Sequence, residues 1–224
     1  MINTEASHLD LEISTNPSLK EEDDLCRKIK DAIVCQHLAP SEKITENVIT
    51  ERFDTTRTVA RSLIDQLTVQ NFLVSISPRV TRVAPLTVMT IKENFLLRKL
   101  LMPELTAMST RHVNFDVAEK LNQHMTRVKV NKDDDGKILA LLRKNREYNL
   151  NLVAGLKYDL IFSWAQLLED MAMRVYWLYV KQHGTLPFSA NTHQAALDAM
   201  KKDEPDIVRS IIRDILNQNQ ERVL

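Results

Sequence analysis

Residues 45–85 decide the fold of the N-terminal part and read TENVITERFDTTRTVARSLIDQLTVQNFLVSISPRVTRVAP. Apolar residues recur at helical spacing after Thr56 and predict a helix with one buried stripe. Arg57 and Arg61 lie one turn apart on the opposite face. The β-rich run 72–76 and the Pro-Arg turn after it predict a hairpin. A short helix, a turn, a second helix and a hairpin together indicate a winged helix-turn-helix, which places its second helix in the DNA major groove.

The composition favours a mainly α protein of two domains. A length of 224 residues is more typical of two domains than of one, and three glycines are too few for many β-turns. Thirty basic and thirty acidic residues cancel, and residues 25–86 carry nine basic against six acidic ones, which is a weak basic footprint. Cys26 and Cys35 have no metal-like spacing. With neither a signal-peptide pattern nor a transmembrane run, we expect a cytoplasmic protein.

The chain divides into three parts. Residues 1–24 are acidic and lack a sustained period, which predicts a mobile tail. Residues 25–86 form the predicted winged helix-turn-helix domain, whose first helix starts at Leu25. After a boundary near residues 86–90, strands give way to long amphipathic stretches. Residues 87–224 are therefore expected to be all-helical, with about six helices.

Several large apolar residues of the second part are expected to form its core. Their helical spacing places them on the inward stripes of the first and fourth of these helices. Both tryptophans are included in this expectation. The positions that matter below are Leu100, Met108, Leu160, Trp164 and Trp177.

Three segments carry a resemblance to the GntR family of bacterial transcription regulators. Residues 33–46, IVCQHLAPSEKITE, resemble the family pattern I-x-x-G-x-L-x-P-G-x-x-L-x-E. Residues 53–63, FDTTRTVARSL, are similar to its recognition segment F-x-V-S-R-x-P-V-R-x-A-L, and residues 78–86, PRVTRVAPL, to its wing. The helical remainder resembles the FCD type of effector domain found in fatty-acid-responsive and vanillate-responsive regulators. The resemblance covers about residues 25–218.

The resemblance implies a DNA-binding surface on the second helix and the wing. Arg57 and Arg61 fall on the two arginine positions that contact DNA in the family. The sequence departs from the family pattern at Val59, which replaces a proline, and at four positions usually occupied by glycine: Gln36, Ser41, Asn71 and Val80. The full set of expected DNA-binding residues is Arg52, Thr55, Thr56, Arg57, Thr58, Arg61, Arg79 and Arg82.

The resemblance to FCD domains raises the question of a metal. Such domains often hold a divalent ion through one aspartate and three histidines, of which two belong to a D-x-x-F-H motif. The corresponding positions here are Asn145, Asn149, His193 and Asp214. Neutral amides are poor ligands for zinc, so we expect no metal and no other cofactor.

Two interpretations of these polar residues stay open. They form either a metal-free pocket for a small anionic effector or a buried network in which His193 pairs with Asp214. Arg98 matches an arginine of the family's R-x-x-L-E segment, with Met102 at the glutamate position, and would either bind a carboxylate or form a surface ion pair. The expected effector-binding residues are Arg98, Asn145, Tyr148, Asn149, Arg174, His193 and Asp214.

The sequence thus predicts a homodimeric DNA-binding regulator controlled by a small metabolite, with double-stranded operator DNA as partner. For Arg57 the alternative is a contact to phosphate only, and for Arg61 it is an ion pair with Asp65. The rival hypothesis is a winged-helix interaction or dimerisation protein that no longer binds an effector. Its winged helix would have drifted from DNA, and its helical domain would serve dimerisation or partner docking. No catalytic motif is present in the sequence, so we expect no enzyme activity.

Overall fold

The computed structural model describes residues 17–224, and side chains from Lys20 onward. Within this range the chain forms nine helices and three strands. In chain order they are α1 Pro17–Val34, β1 Lys43–Ile44, α2 Glu46–Phe53, α3 Arg57–Val69, β2 Leu73–Ser77, β3 Val80–Val83, α4 Val88–Met108, α5 Phe115–Arg127, α6 Asp135–Ala154, α7 Asp159–His183, α8 Ala190–Lys201 and α9 Pro205–Val223. No helix of residues 17–224 is long and apolar enough to cross a membrane.

The N-terminal domain consists of α1, α2, α3 and a three-stranded antiparallel sheet. Thr45 and Thr56 begin α2 and α3, since their side chains accept hydrogen bonds from the backbone N–H groups of Val48 and Val59. The residues of α3 that face the core are fully buried: Ala60, Leu63 and Leu67. The predicted winged helix-turn-helix is therefore confirmed.

The sheet has the strand order β1-β3-β2, and its longer hairpin is the wing. Val74 pairs with Arg82, and Ser75 pairs with Thr81. The register shifts between Ser75 and Ser77, which forms a bulge near the tip of the hairpin.

The C-terminal domain consists of the six helices α4 to α9, as predicted. Helix α4 packs most extensively against α9, and α6 lies between α5 and α7. Thr87 and Thr90 form a capping box at the start of α4, and Asp134 caps α6. The mainly α fold class predicted from the sequence is confirmed. The chain passes between the two parts through residues 84–87, near the predicted boundary.

Part of the predicted acidic tail is helical. Helix α1 begins at Pro17, so the expectation of a mobile tail is wrong for residues 17–24, while residues 1–16 lie outside the described residues. Glu22 of α1 accepts a hydrogen bond from Ser62 of α3. Contacts with α3 thus support a segment whose own composition suggested disorder.

Four residues expected in the core are exposed instead. Leu100 is 62% exposed, Met108 52%, Leu160 67% and Trp164 52%, whereas Trp177 is buried as expected. Helical spacing identifies an apolar stripe but does not say which neighbour covers it. These side chains lie on two helices that pack against each other, α4 and α7.

Three of the four positions that replace family glycines have left-handed backbone conformations. The φ angles are 60° at Gln36, 66° at Ser41 and 58° at Asn71. Glycine is favoured there because it has no Cβ to clash with the backbone. Val80 differs, because it lies in β3 and is absent from the residues with positive φ. At these three positions a residue with a Cβ therefore adopts a left-handed conformation, which strains the backbone.

We predict that Gln36→Gly stabilises the protein. The change removes the strain of a left-handed residue and should raise the free energy of unfolding by about 0.5–1 kcal/mol, net of the greater freedom of glycine in the unfolded chain. Urea denaturation would measure it. The matched control is Gln123→Gly in the exposed face of α5, which should destabilise by about 0.5–1 kcal/mol. Equal effects of the two changes would contradict the explanation.

Candidate functional site

Helix α3 presents a polar face to solvent at its N-terminal end. Thr56, Arg57, Thr58 and Arg61 are exposed, and Thr55 is partly exposed. The free backbone N–H groups at a helix N-terminus attract anions such as phosphate. Two arginines one turn apart and a threonine-rich start therefore form a surface that suits a DNA backbone and base edges.

The two arginines of α3 differ in their partners. Arg57 has no ion-pair or hydrogen-bond partner for its side chain among the described residues. Arg61 donates from Nε to Oε1 of Glu46 at 2.8 Å, and its side chain is still 72% exposed. This hydrogen bond to Glu46 raises the pKa of Arg61. The partner of Arg61 is therefore on α2, and the predicted alternative pair with Asp65 is wrong.

The remaining predicted DNA-binding arginines have different surroundings. Arg52 donates to the carbonyl of His37 at 3.2 Å and pairs with Glu42 at 2.9 Å, which connects α2 to the loop before β1. Arg82 donates from Nη1 to the carbonyl of Ser41 at 2.7 Å. Each of these two side chains uses part of its guanidinium within the domain. Arg79 lies exposed at the tip of the wing, where no such bond is formed within residues 17–224.

A buried ion pair lies at the centre of the helical domain. Arg98 of α4 donates from Nη2 and Nε to Oε1 of Glu169 in α7, at 2.8 and 3.1 Å, and from Nη1 to the hydroxyl of Tyr176 at 2.8 Å. Both charged side chains are at most 3% exposed. Burial disfavours the charge of Arg98, but Glu169 and Tyr176 outweigh it and raise its pKa. The counter-charge comes from α7, and Met102 at the family's glutamate position lies beside it in the same cluster.

The polar residues predicted from the family motif gather around this pair. Asn149 donates from Nδ2 to the second oxygen of Glu169 at 2.8 Å. The Tyr148 hydroxyl donates to the carbonyl of His193 at 2.8 Å. The His193 ring is stacked between Tyr148 and Phe188, with centroid distances of 4.5 and 5.5 Å. Burial raises the pKa of the Tyr148 hydroxyl. Arg98, Asn145, Tyr148, Asn149 and His193 all line one small cavity.

Two predicted members lie elsewhere. Asp214 is exposed, so its expected pairing with His193 is wrong. Successive residues of a helix point about 100° apart, and in α9 it is Ile215 and Asn219 that face the cluster. Arg174 lies at the junction of the two domains, where Nη2 donates to the carbonyl of Ala84 at 2.6 Å. Neither residue belongs to the cluster around Arg98.

The sequence reasoning missed three contributors to the cluster. Glu169 and Tyr176 of α7 are bonded to Arg98, and Asn219 of α9 lies 3.2 Å from the Tyr176 hydroxyl. All three are buried. Glu169 and Asp170 interrupt the apolar pattern of α7, which was the available signal. Polar residues within an otherwise apolar helix usually have buried partners.

The cluster does not suit a metal or a large ligand. It offers three amides, one imidazole and the Glu169 carboxylate, which already pairs with Arg98. Residues 17–224 contain no group of three or more His, Cys, Asp or Glu side chains that could hold an ion. The cavity measures only about 20 Å³, which is room for about one water molecule. The buried atoms Asn145 Oδ1 and His193 Nδ1 lack partners in the described part of the chain. The Arg98 guanidinium, the expected anion-binding group, is already neutralised by Glu169.

Comparisons with known proteins identify the fold. No protein-family model matches this sequence, and no protein of curated function matches it. Among solved structures, McbR/YncC of E. coli superposes with a TM-score of 0.67 at 17% identity, over 92% of this chain and 96% of that one. A protein from Rhodococcus sp. RHA1 that is assigned as the transcriptional regulator GntR has a TM-score of 0.70 at 12% identity, over 91% and 97%. At these identities the likeness shows the fold alone, and the chain therefore has the fold of GntR-type regulators.

We predict that His193 makes the stability of the protein depend on pH. Burial, together with the charge of Arg98, lowers the pKa of His193 to about 4, against about 6.5 in the unfolded chain. Below pH 6.5 the unfolded state therefore binds a proton that the folded state does not. This contribution is fully present above pH 6.5 and is lost as the pH falls to 4, by about 3 kcal/mol.

The measurement is urea denaturation of the parent and of His193→Gln between pH 7 and 4. We expect the variant to lose less stability over this range than the parent does. The exposed His124, replaced in the same way, controls for the loss of one imidazole. Parallel pH profiles of the parent and His193→Gln would show that His193 does not stay neutral in the fold.

Proposed function

We propose that this protein is a sequence-specific DNA-binding transcription regulator that acts in the cytoplasm. The observation that supports it best is the exposed pair Arg57 and Arg61 on the second helix of a winged helix-turn-helix. The fold neighbours named above include a protein assigned as a transcriptional regulator, and none of them is named as an enzyme. A non-enzymatic role agrees with the absence of catalytic motifs from the sequence.

In this proposal α3 enters the major groove with its N-terminal end against the DNA. Arg57 and Arg61 would contact base edges, with O6 and N7 of guanine as the natural bidentate target. Thr55, Thr56 and Thr58 would bind neighbouring phosphates, and Arg79 would reach the DNA from the wing. The pair of Arg61 with Glu46 is solvent-exposed, so opening it costs little.

We also propose that the protein acts as a homodimer. The exposed apolar residues of α4 and α7, two helices that pack against each other, support this, since exposed apolar patches mark interaction surfaces. Leu96 and Leu100 lie one turn apart on α4, and Leu160 and Trp164 lie one turn apart on α7. A two-fold dimer formed through these helices would present two copies of α3 to a palindromic operator.

We further propose that a small anionic metabolite controls the protein and that the protein needs no metal. The composition of the cluster around Arg98 supports the metal-free part, because amides and one imidazole bind zinc poorly. The same cluster gives little support for an effector there, because Glu169 already neutralises Arg98 and the cavity holds about one water molecule. An effector would therefore bind elsewhere on the protein or open this cluster.

The alternative is an interaction protein whose winged helix no longer binds DNA. The specific observation in its favour is that Arg52, Arg61 and Arg82 are each bonded within the N-terminal domain. The salt dependence of binding separates the two functions. Each neutralised phosphate releases a counterion, so DNA affinity must fall steeply with salt, whereas protein docking need not.

We predict that Arg57→Ala weakens binding to the DNA upstream of the protein's own gene. Loss of a bidentate base contact should cost about 1–3 kcal/mol and relax the sequence preference at one position of each half-site. Fluorescence anisotropy at fixed salt would measure the change. Arg61→Ala should behave alike, and Arg79→Ala should instead reduce the salt dependence by about one counterion.

The matched control is Arg127→Ala, which removes an exposed arginine at the end of α5, outside the N-terminal domain. It should leave DNA affinity unchanged. If Arg57→Ala and Arg61→Ala bind as well as the parent, or if the parent binds DNA with no salt dependence, the DNA-binding function is wrong.

We predict that Leu100→Glu makes the protein monomeric. A charge at an apolar contact would have to be desolvated in the dimer, which opposes association. Analytical ultracentrifugation at micromolar protein would show the change. Val117→Glu, at an exposed apolar position of α5, is the control and should leave the mass of the parent unchanged. A monomeric parent, or a dimeric Leu100→Glu variant, would exclude this interface.

A further inference from the structure

A large cavity lies between the two domains in the described part of the chain. It measures about 610 Å³, within the range of small-molecule binding sites. One wall comes from the end of α3, strand β2 and the segment Ala84–Pro85, and the other wall from α4 and α7. We call this cavity the interdomain cleft. It is distinct from the small cavity around Arg98.

A buried, uncompensated cation lines the cleft. Arg174 of α7 is 3% exposed, and no carboxylate lies within ion-pair distance of it among the described residues. Its Nη2 donates to the carbonyl of Ala84, and its Nη1 has no hydrogen-bond partner in residues 17–224. Burial lowers the pKa of Arg174 to about 10. A buried guanidinium in this state is destabilising until an anion approaches it.

Arg174 differs in this respect from the other buried arginine. Arg98 has Glu169 as its counter-charge. Asp170 lines the cleft and lies four residues before Arg174, but its carboxylate already pairs with other cations. Asp170 bonds with Arg146 and lies 3.3 Å from Lys30. The other acid of the cleft is Glu93, which is exposed. The positive charge of Arg174 therefore has no counter-charge among the described residues.

The rest of the lining is mostly apolar. Phe72, Leu97, Leu167 and Met171 supply hydrophobic surface. The buried Asn94 keeps Oδ1 without a partner, while its Nδ2 donates to the carbonyl of Leu168 at 3.0 Å. A largely apolar cavity with one unpaired guanidinium suits a molecule with an apolar body and a carboxylate.

We propose that the interdomain cleft binds a small amphipathic monocarboxylate, with its carboxylate at Arg174 and its apolar body between α3–β2 and α4–α7. The carboxylate competes with the carbonyl of Ala84 for the guanidinium. Because Ala84 begins the link to α4, and the end of α3 lines the same cleft, occupancy changes how the DNA-binding domain is held against the helical domain. This regulatory consequence rests on the proposed function, whereas the binding itself does not.

The test uses octanoate and 3-phenylpropanoate as probes, with octanamide and 3-phenylpropanamide as uncharged controls. Titration calorimetry on the full chain without DNA would measure binding. We expect the carboxylates to bind and their amides to bind at least tenfold more weakly. Arg174→Met should reduce carboxylate affinity at least tenfold, and Arg127→Met should not.

A second pair of variants makes the test independent of Arg174. Ser75 lines the cleft on β2, whereas Ser77 lies on the same exposed strand outside it. Ser75→Glu should repel the carboxylate probes and weaken them at least tenfold, while Ser77→Glu should leave their affinity unchanged. Absence of carboxylate binding, equal binding by Arg174→Met, or equal effects of the two serine variants would overturn the proposal.

The two proposals fail separately. Carboxylate binding that depends on Arg174 in a protein without salt-dependent DNA binding would support the cleft and refute the DNA-binding function. DNA binding that depends on Arg57, without any binding of the carboxylate probes, would do the reverse.

Discussion

The energetics of buried guanidinium groups organise the C-terminal domain. A charge removed from water must be matched by a counter-charge and by hydrogen bonds, or it destabilises the fold. Arg98 meets this condition, because Glu169 and Tyr176 satisfy its donors and Asn149 bonds to the other oxygen of Glu169. The pair joins α4 to α7 at the centre of the bundle. The polar residues at the positions of the family's metal site therefore surround an ion pair whose two charges cancel within the protein.

Buried and partly buried charges also lie at the junction between the domains, but there not all of them are paired. Lys30 and Arg146 both bond to Asp170, and Asp31 of α1 pairs with Arg143 of α6. The Lys30–Asp170 and Asp31–Arg143 pairs hold α1 against the helical domain. Arg174, by contrast, bonds only to a backbone carbonyl. The N-terminal domain is thus fastened at α1 and held less completely at the segment that leads to α4.

The sequence predicted the winged helix more accurately than it predicted the polar cluster of the helical domain. The winged helix was predictable because its caps, its apolar stripe and its arginines are close in sequence, so local spacing fixes their geometry. The polar cluster was predicted in part: Asn145, Tyr148, Asn149 and His193 lie together, but Asp214 does not. An offset of one residue on a helix turns a side chain by about 100°. The motif spacing alone did not identify which residue of α9 faces the cluster.

The sequence by itself determined the mainly α class, the order of the elements and the outward position of Arg57 and Arg61, because these follow from periodicity and capping within short segments. Only the tertiary structure decided which charges are paired. Arg61 pairs with Glu46, Arg98 with Glu169, while Arg174 has no acidic partner in the described chain. Ion pairing depends on distances between helices that are remote in sequence, and helical spacing carries no information about them.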